Sequence, residues 1–243
     1  MLLCQAWTNA RVANPLRAAI PPTMHILVVS DLHGDLKAAR EACHLEKPDL
    51  ILSCGDWGDP EEVTRADFES IQNLAPIHTT FGNHDAIEIL KTLHNPDGTS
   101  LLLPQGREFV VAGLRLASIG GIWAKSHSKP YYVTDEDVAA MAERIAEAGP
   151  IDILLTHGCA IGLADLTPSG RHGGQRCFLD ATKTIAPRLH LCGHVHVPQE
   201  RIFKDGRKVL NVGATPEGSF VVIDFDASRN LLESTLKRLP GRE

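Results

Sequence analysis

The 243-residue sequence has no run of about 18 apolar residues, so no membrane-spanning helix of ordinary length is expected. It has no surplus of positive charge either. Against 24 Lys and Arg stand 30 Asp and Glu, a net charge of −6, which leaves no broad basic face for duplex nucleic acid. The six cysteines follow no regular spacing, which argues against a disulfide framework and fits a reducing, cytoplasmic setting. No internal repeat or low-complexity stretch occurs. What remains is a chain with 43% hydrophobic residues, enough to bury a real core as one α/β domain.

Residues 1 to 23 differ from the rest: they hold Arg11 and Arg17, three prolines (Pro15, Pro21, Pro22) and no acid or serine. The apolar core of a secretory signal, about 7–15 residues long, is missing from this segment. It is expected to be a disordered tail, or the product of a start assigned too early, because Met24 stands immediately before the first strand-like run. The folded domain is therefore expected to span residues 24 to 243.

The positive signal lies at the ends of apolar runs. LVVS leads into Asp31-Leu-His33, LILSCG into Asp56, IHTTFG into Asn83-His84-Asp85, ILLT into His157, and LHLCG into His194-Val-His196. Short Val/Ile/Leu runs that stop at a turn residue read as buried parallel strands. In open α/β sheets, ligands gather beyond the carboxyl ends of such strands. Seven side chains are candidate metal ligands: Asp31, His33, Asp56, Asn83, His157, His194 and His196. One tetrahedral zinc takes four ligands, whereas two ions sharing a bridging carboxylate can use seven. Carboxylate and amide oxygens with imidazole and no thiolate suit Zn, Mn or Fe. Cys54, Cys159 and Cys192 lie beside the motifs without ribbon spacing and read as small buried residues packing the strand ends.

Taken in order, DLH, GDWGD, GNHD, TH and GHVH resemble the motif series of the calcineurin-like metallophosphoesterase superfamily over about residues 24 to 225. Each piece alone is weak; five in order, each after a strand, are specific. The resemblance implies a four-layer α/β/β/α sandwich of two mixed β-sheets flanked by helices. It also implies two divalent ions, with Asp31, His33 and His196 on one, Asn83, His157 and His194 on the other, and Asp56 bridging. His84 would be the catalytic imidazole beside them. Asp59 matches the second Asp of the GDxxD motif and either orients His84 or simply forms the turn between Gly58 and Pro60.

These residue types suit phosphate-ester hydrolysis, which needs a nucleophile, neutralised phosphoryl oxygens and help for the leaving oxygen. Two ions roughly 3.5–4 Å apart can clamp an in-line displacement, with the hydroxide held between them as attacking group. An imidazole near its ordinary pKa can protonate the leaving oxygen.

Between the motifs the chain reads as α/β. Asp35 to Glu46 places Leu36, Ala39 and Cys43 on one helical face, and Glu62 to Leu74 and Ala86 to Leu93 suit helices. Phe109–Val111 and Leu114–Ser118 read as a hairpin. Thr134 opens a capping box with Asp137, and Gly149-Pro150 closes that helix. Three β-like runs from Gln199 to Asp224 have no helix between them and read as an antiparallel portion.

Two loops are candidates for substrate contact. Trp123 to Val133 carries Lys125, His127, Lys129 and the only tyrosines, Tyr131 and Tyr132, which could stack a base or merely cover the hairpin. Gly158 to Arg176 contains Arg171 and His172 in a Gly-rich turn, where Arg171 could fork onto phosphate oxygens or stand solvated. This second loop resembles that of bacterial and archaeal cyclic-nucleotide-phosphodiesterase-like members.

Departures narrow the choice within the superfamily. Pro60-Glu61 replaces the Arg-Gly of protein phosphatases, and His84 stands where lipid-A-pathway pyrophosphatases have Arg. Repair nucleases are longer, and retromer-type scaffolds lack ligands that this chain retains. The expected activity is hydrolysis of a small or nucleotide-like phosphodiester. Phosphomonoesterase or nuclease activity is the alternative, and a metal-stabilised interaction module is the rival of another class. His84 discriminates against that rival, because a structural site needs no unliganded imidazole. The expected partner is a small-molecule phosphoester, a nucleotide among the candidates, with neither a membrane nor duplex nucleic acid.

Overall fold

Alternate residues of the first strand face opposite layers, and this parity sets the architecture of the computed structural model, which describes residues 23–242. In β1 (Met24–Val29), Ile26 and Val28 belong to one buried cluster, while Leu27 and Val29 belong to another. The expectation for the N-terminal tail falls outside the described residues, except at Thr23.

The chain continues through α1 (Lys37–Glu46), β2 (Leu50–Ser53), α2 (Arg65–Gln72), β3 (Ile77–Thr79) and α3 (Ile87–Leu90). Next come β4 (Glu108–Val111), β5 (Leu114–Ile119), the short pair β6 (Ile122–Trp123) and β7 (Tyr132–Val133), α4 (Asp135–Ala148) and β8 (Ile153–Thr156). Then follow α5 (Arg176–Ile185), β9 (Leu189–Cys192), β10 (Gln199–Ile202), β11 (Lys208–Asn211), β12 (Ser219–Phe225) and β13 (Leu231–Arg238).

One sheet has the order β13-β12-β1-β2-β3 and the other β10-β11-β9-β8-β5-β4. Within them β1, β2 and β3 are mutually parallel, as are β5, β8, β9 and β11; antiparallel strands close both edges of the second sheet and the β13 edge of the first, whose other edge is β3. Ile26, Val28 and Leu52 of the first sheet meet Ile153, Leu155 and Leu191 of the second. Leu27 and Val29 face outward onto Ala38, Ala42, Phe68 and Ile71 of α1 and α2. Leu154 faces Val138, Ile145 and Phe178 of α4 and α5. The result is the four-layer α/β/β/α sandwich, each apolar layer held by burial worth about 1.5–3 kcal/mol for a fully buried large aliphatic side chain.

Local signals hold well. The Thr134–Asp137 capping box forms, Gly149 ends α4, and β4 pairs antiparallel with β5. α2 adds a second capping box, Thr64 with Asp67. Two expectations change. The helix expected over Ala86 to Leu93 shrinks to Ile87–Leu90, one turn with no side-chain cap, because Leu90 and Leu93 anchor the segment in the core without further helix. The three runs after Gln199 do not form one antiparallel portion: β11 lies parallel to β9, and β12 has crossed to pair with β1. A 3₁₀ turn at Thr215–Glu217 makes that crossing, and Val221 and Ile223 fill the space between the sheets.

Among the described residues no helix is long and apolar enough to cross a membrane.

Candidate metal centre

The carboxyl ends of β1, β2 and β3 in one sheet and β8 and β9 in the other deliver all seven candidate ligands, and backbone hydrogen bonds tie their turns together. Leu32 and His33 donate their N–H groups to the Asp56 carbonyl at 2.7 and 3.0 Å, and Gly34 N–H reaches the Trp57 carbonyl at 2.8 Å. Asp31, His33, Asp56, His194 and His196 all have left-handed backbones, with φ of 52, 44, 57, 67 and 63°. Non-glycine residues adopt this region rarely, and strain of this kind gathers at functional sites.

Two glycines make the close approach possible. A Cβ at Gly82 would strike the Asp56 carboxylate and the His157 ring, and one at Gly193 would strike Ser30 and Asp31. Only a hydrogen fits at either place.

The side chains converge in two groups. One donor atom from each of Asp31, His33 and His196 lies within 4.8 Å of the others, and the same holds for Asp31, Asp56 and His157. Asp56 stands between the groups: its Oδ2 lies 3.9 Å from His33 Nε2 and 3.3 Å from His157 Nε2, while its Oδ1 accepts the His84 N–H at 2.7 Å. Asp31, fully buried, accepts from Ser30 Oγ at 2.6 Å and from the His194 N–H at 2.9 and 3.1 Å, binding the two sheets across the site.

The donor atoms left over fit metal ions. Asn83 Oδ1 and His157 Nε2 are buried with no hydrogen-bond partner, and an orphaned buried polar atom calls for an explanation. His157 Nε2 is near Asp56 Oδ2 but is not aligned to share a hydrogen with it. Its other ring nitrogen, Nδ1, lies 2.9 Å from the Cys54 carbonyl, the arrangement that aims a metal-ligating imidazole. His157 and His194 stand edge to face at 5.1 Å between ring centroids.

Charge tells the same story. Burial disfavours the His157 cation, yet Asp56 and Asp31 raise its pKa to about 10. Burial opposes ionisation of Asp56, but His157 holds it well below the usual carboxylate range. Burial and then the charge of His157 push His194 down to about 4. The two buried carboxylates, Asp31 and Asp56, favour positive charge in the space between them.

His84 is exposed beside the cluster, its ring 5.1 Å from that of His33. Its Nδ1 lies 3.0 Å from Asp59 Oδ2, a hydrogen bond that raises the His84 pKa against the smaller effect of burial. Asp59 also makes the turn, its carbonyl accepting from Glu62 and Val63, so both readings of that residue coexist.

Arg171 and His172 are not brought into hydrogen-bond contact with the cluster. His172 Nδ1 is engaged by buried Asp165 at 2.8 Å, which fixes its loop, and among the described residues the Arg171 guanidinium makes no hydrogen bond or ion pair. The loop rests against the ligand turn where Gly173 packs near Val195. Cys54, Cys159 and Cys192 are buried and free, packing behind the ligands as expected.

Sequence reasoning gave Asp85 no role. Its carboxylate accepts the N–H groups of Gly82 at 2.6 Å and of Asp56 and Trp57 at 2.8 Å each, clamping the β2 and β3 turns together. Burial and then the Asp56 charge raise its pKa to about 7, with those three N–H groups opposing. Its place as the last residue of the GNHD motif was the only signal available.

A family model described as calcineurin-like phosphoesterase matches residues 24–198. No curated protein matches the sequence significantly. Among solved structures, TT1561 of Thermus thermophilus is 17% identical with a TM-score of 0.64, the alignment covering 88% of this chain and 98% of that one. A dimetal phosphatase from Danio rerio is 8% identical with a TM-score of 0.54, covering 90% and 99%. GAP50, the anchor in the inner membrane complex of Plasmodium, is 13% identical with a TM-score of 0.55, covering 92% and 91%. At these identities the likeness concerns the fold alone, and the fold serves a phosphatase and an anchor alike.

Proposed function

This chain belongs to the calcineurin-like phosphoesterase family, and from that premise we propose that it is a two-metal hydrolase of small or nucleotide-like phosphodiesters. The observation that carries the reading is the position of Asp56, whose carboxylate lies between His33 on one side and His157 on the other. Asp31, His33 and His196 are proposed to hold one ion, Asn83, His157 and His194 the other, and Asp56 both. The nitrogen and oxygen donor set suits Mn, Fe or Zn. When bound, such ions neutralise charge on the phosphoryl oxygens and activate water.

The chain's own residues do the rest. Asp31 and Asp85 lock the strand-end turns so that the donors hold their spacing without reorganisation. His84, its Nδ1 held by Asp59, offers Nε2 to the leaving oxygen as a proton donor. An exposed imidazole paired to a carboxylate and left outside the ligand set supports an enzyme over a metal-stabilised interaction module. Arg171, without a partner among the described residues, is the candidate for an outer contact with substrate. His172 acts through the loop it pins.

The test is turnover of metal-loaded protein on a panel of monoesters, diesters and cyclic nucleotides. Higher kcat/KM for a diester than for the monoester with the same leaving group is expected. The reverse order would overturn the diester preference.

A further inference from the structure

A cavity of about 320 Å³ is lined by Asn83 of the proposed ligand set and by Asp59, the partner of His84. Its apolar walls come from Ile87 and Ile89 of α3, Pro60, Pro130 and Tyr131. Every ionisable group of the described residues that lines it, the Tyr131 phenol aside, is a carboxylate: Asp59, Asp85 and Glu88. Among the described residues no Lys, Arg or His lines the space, and each carboxylate is engaged: Asp59 by His84, Asp85 by three backbone N–H groups, and Glu88 by Lys91 Nζ at 2.7 Å.

Resting on the phosphodiesterase reading above, we propose that this cavity receives the leaving group of the substrate, and that the group is an uncharged planar ring, an aryl alcohol or a nucleoside. Three observations lead there. The cavity reaches Asp59, which holds the proposed proton donor His84, so it lies next to the path a leaving group would take. Its walls are mostly apolar, which rewards a flat ring by burial and stacking. Among the described residues no Lys, Arg or His lines it to take up the charge of a leaving phosphate, so the same surface does not favour cleavage of a pyrophosphate bond.

The two tyrosines of the loop are separated in role. Tyr131 lines the cavity, held by its carbonyl, which accepts the Ile122 N–H at 3.0 Å. Tyr132 stands edge-on to it with ring centroids 5.0 Å apart and does not line the cavity. α3 supplies the facing wall, which is why a single helical turn directly after the GNHD motif suffices there.

The experiment uses the full metal-loaded chain and two methyl phosphodiesters with leaving alcohols of matched acidity, one aryl and one fluoroalkyl. Tyr131→Ala should lower kcat/KM for the aryl ester roughly tenfold to a hundredfold more than for the fluoroalkyl ester, and Tyr131→Phe should keep the wild-type ratio. Equal losses on both esters, or no loss, would overturn the proposal. A binding arm separates this from failure of the hydrolase reading. If neither ester is turned over, that reading falls, while saturation-transfer NMR with 4-methylphenol, uncharged at neutral pH, still decides the cavity. Binding weakened in Tyr131→Ala and kept in Tyr131→Phe supports the proposal, and binding absent from the wild type, or unchanged in Tyr131→Ala, contradicts it.

Discussion

Nε2 of His33 lies 3.2 Å from Nε2 of His196, although the two residues are 163 positions apart and come from turns of different sheets. Two nitrogens at roughly 2.1 Å from one ion stand about 3.0–3.4 Å apart, so the spacing is that of cis ligands. Asp31 Oδ1 lies 3.4 Å from His196 Nε2, and this carboxylate raises the His196 pKa, with burial opposing.

Removing the proposed acid should separate chemistry from binding. His84→Ala should retain metal content, because His84 holds neither ion, and should lose about 10²–10⁴ in rate on a poor leaving group. The loss should shrink for a nitrophenolate, which needs less protonation as it departs. Asp59→Asn should give a weaker version of the same pattern, since it loosens Nδ1 without removing the ring. Equal losses across the leaving-group series would assign His84 to phosphate positioning instead.

Gly82→Ala should damage metal binding and fold together. The added methyl meets the Asp56 carboxylate and the His157 ring, and overpacking of this kind costs about 1–3 kcal/mol. Denaturant midpoints and elemental analysis check it; wild-type values for both would show that the β3 turn can give way.

His190 should make stability fall with acid. Its ring is fully buried between Thr156 and Thr182, with hydroxyls 2.8 and 3.0 Å from its nitrogens, and burial lowers its pKa to about 4. The unfolded value is about 6.5, so the fold binds fewer protons than the unfolded chain at mildly acid pH. Its contribution is whole above about pH 6.5 and is lost as pH falls toward about 4, at up to about 1.4 kcal/mol per pH unit. Urea unfolding across that window should show a shallower pH slope for His190→Gln than for the wild type. Identical slopes would place the acid sensitivity elsewhere.

Much of this was legible in the sequence because strand-end motifs are local. LVVS before Asp31 and LHLC before His194 name both the strand and the place where it stops. The alternation of Ile26 and Val28 against Leu27 and Val29 was not readable as layers, since both faces are buried and a continuous apolar run carries no parity. The same blindness hid the crossing of β12 to the first sheet. Asp85 was overlooked because its partners, the N–H groups of Asp56 and Trp57, come from another turn. The hold of buried Asp165 on His172, seven residues later, has no local signal in the sequence.

The most direct test of the two-metal account is elemental analysis of wild type and Asp56→Asn, with turnover of an aryl phosphodiester measured on the same samples. The wild type should carry two divalent ions per chain and hydrolyse the ester, and Asp56→Asn should lose metal and activity together. Undiminished hydrolysis by chelated, metal-free protein would contradict it.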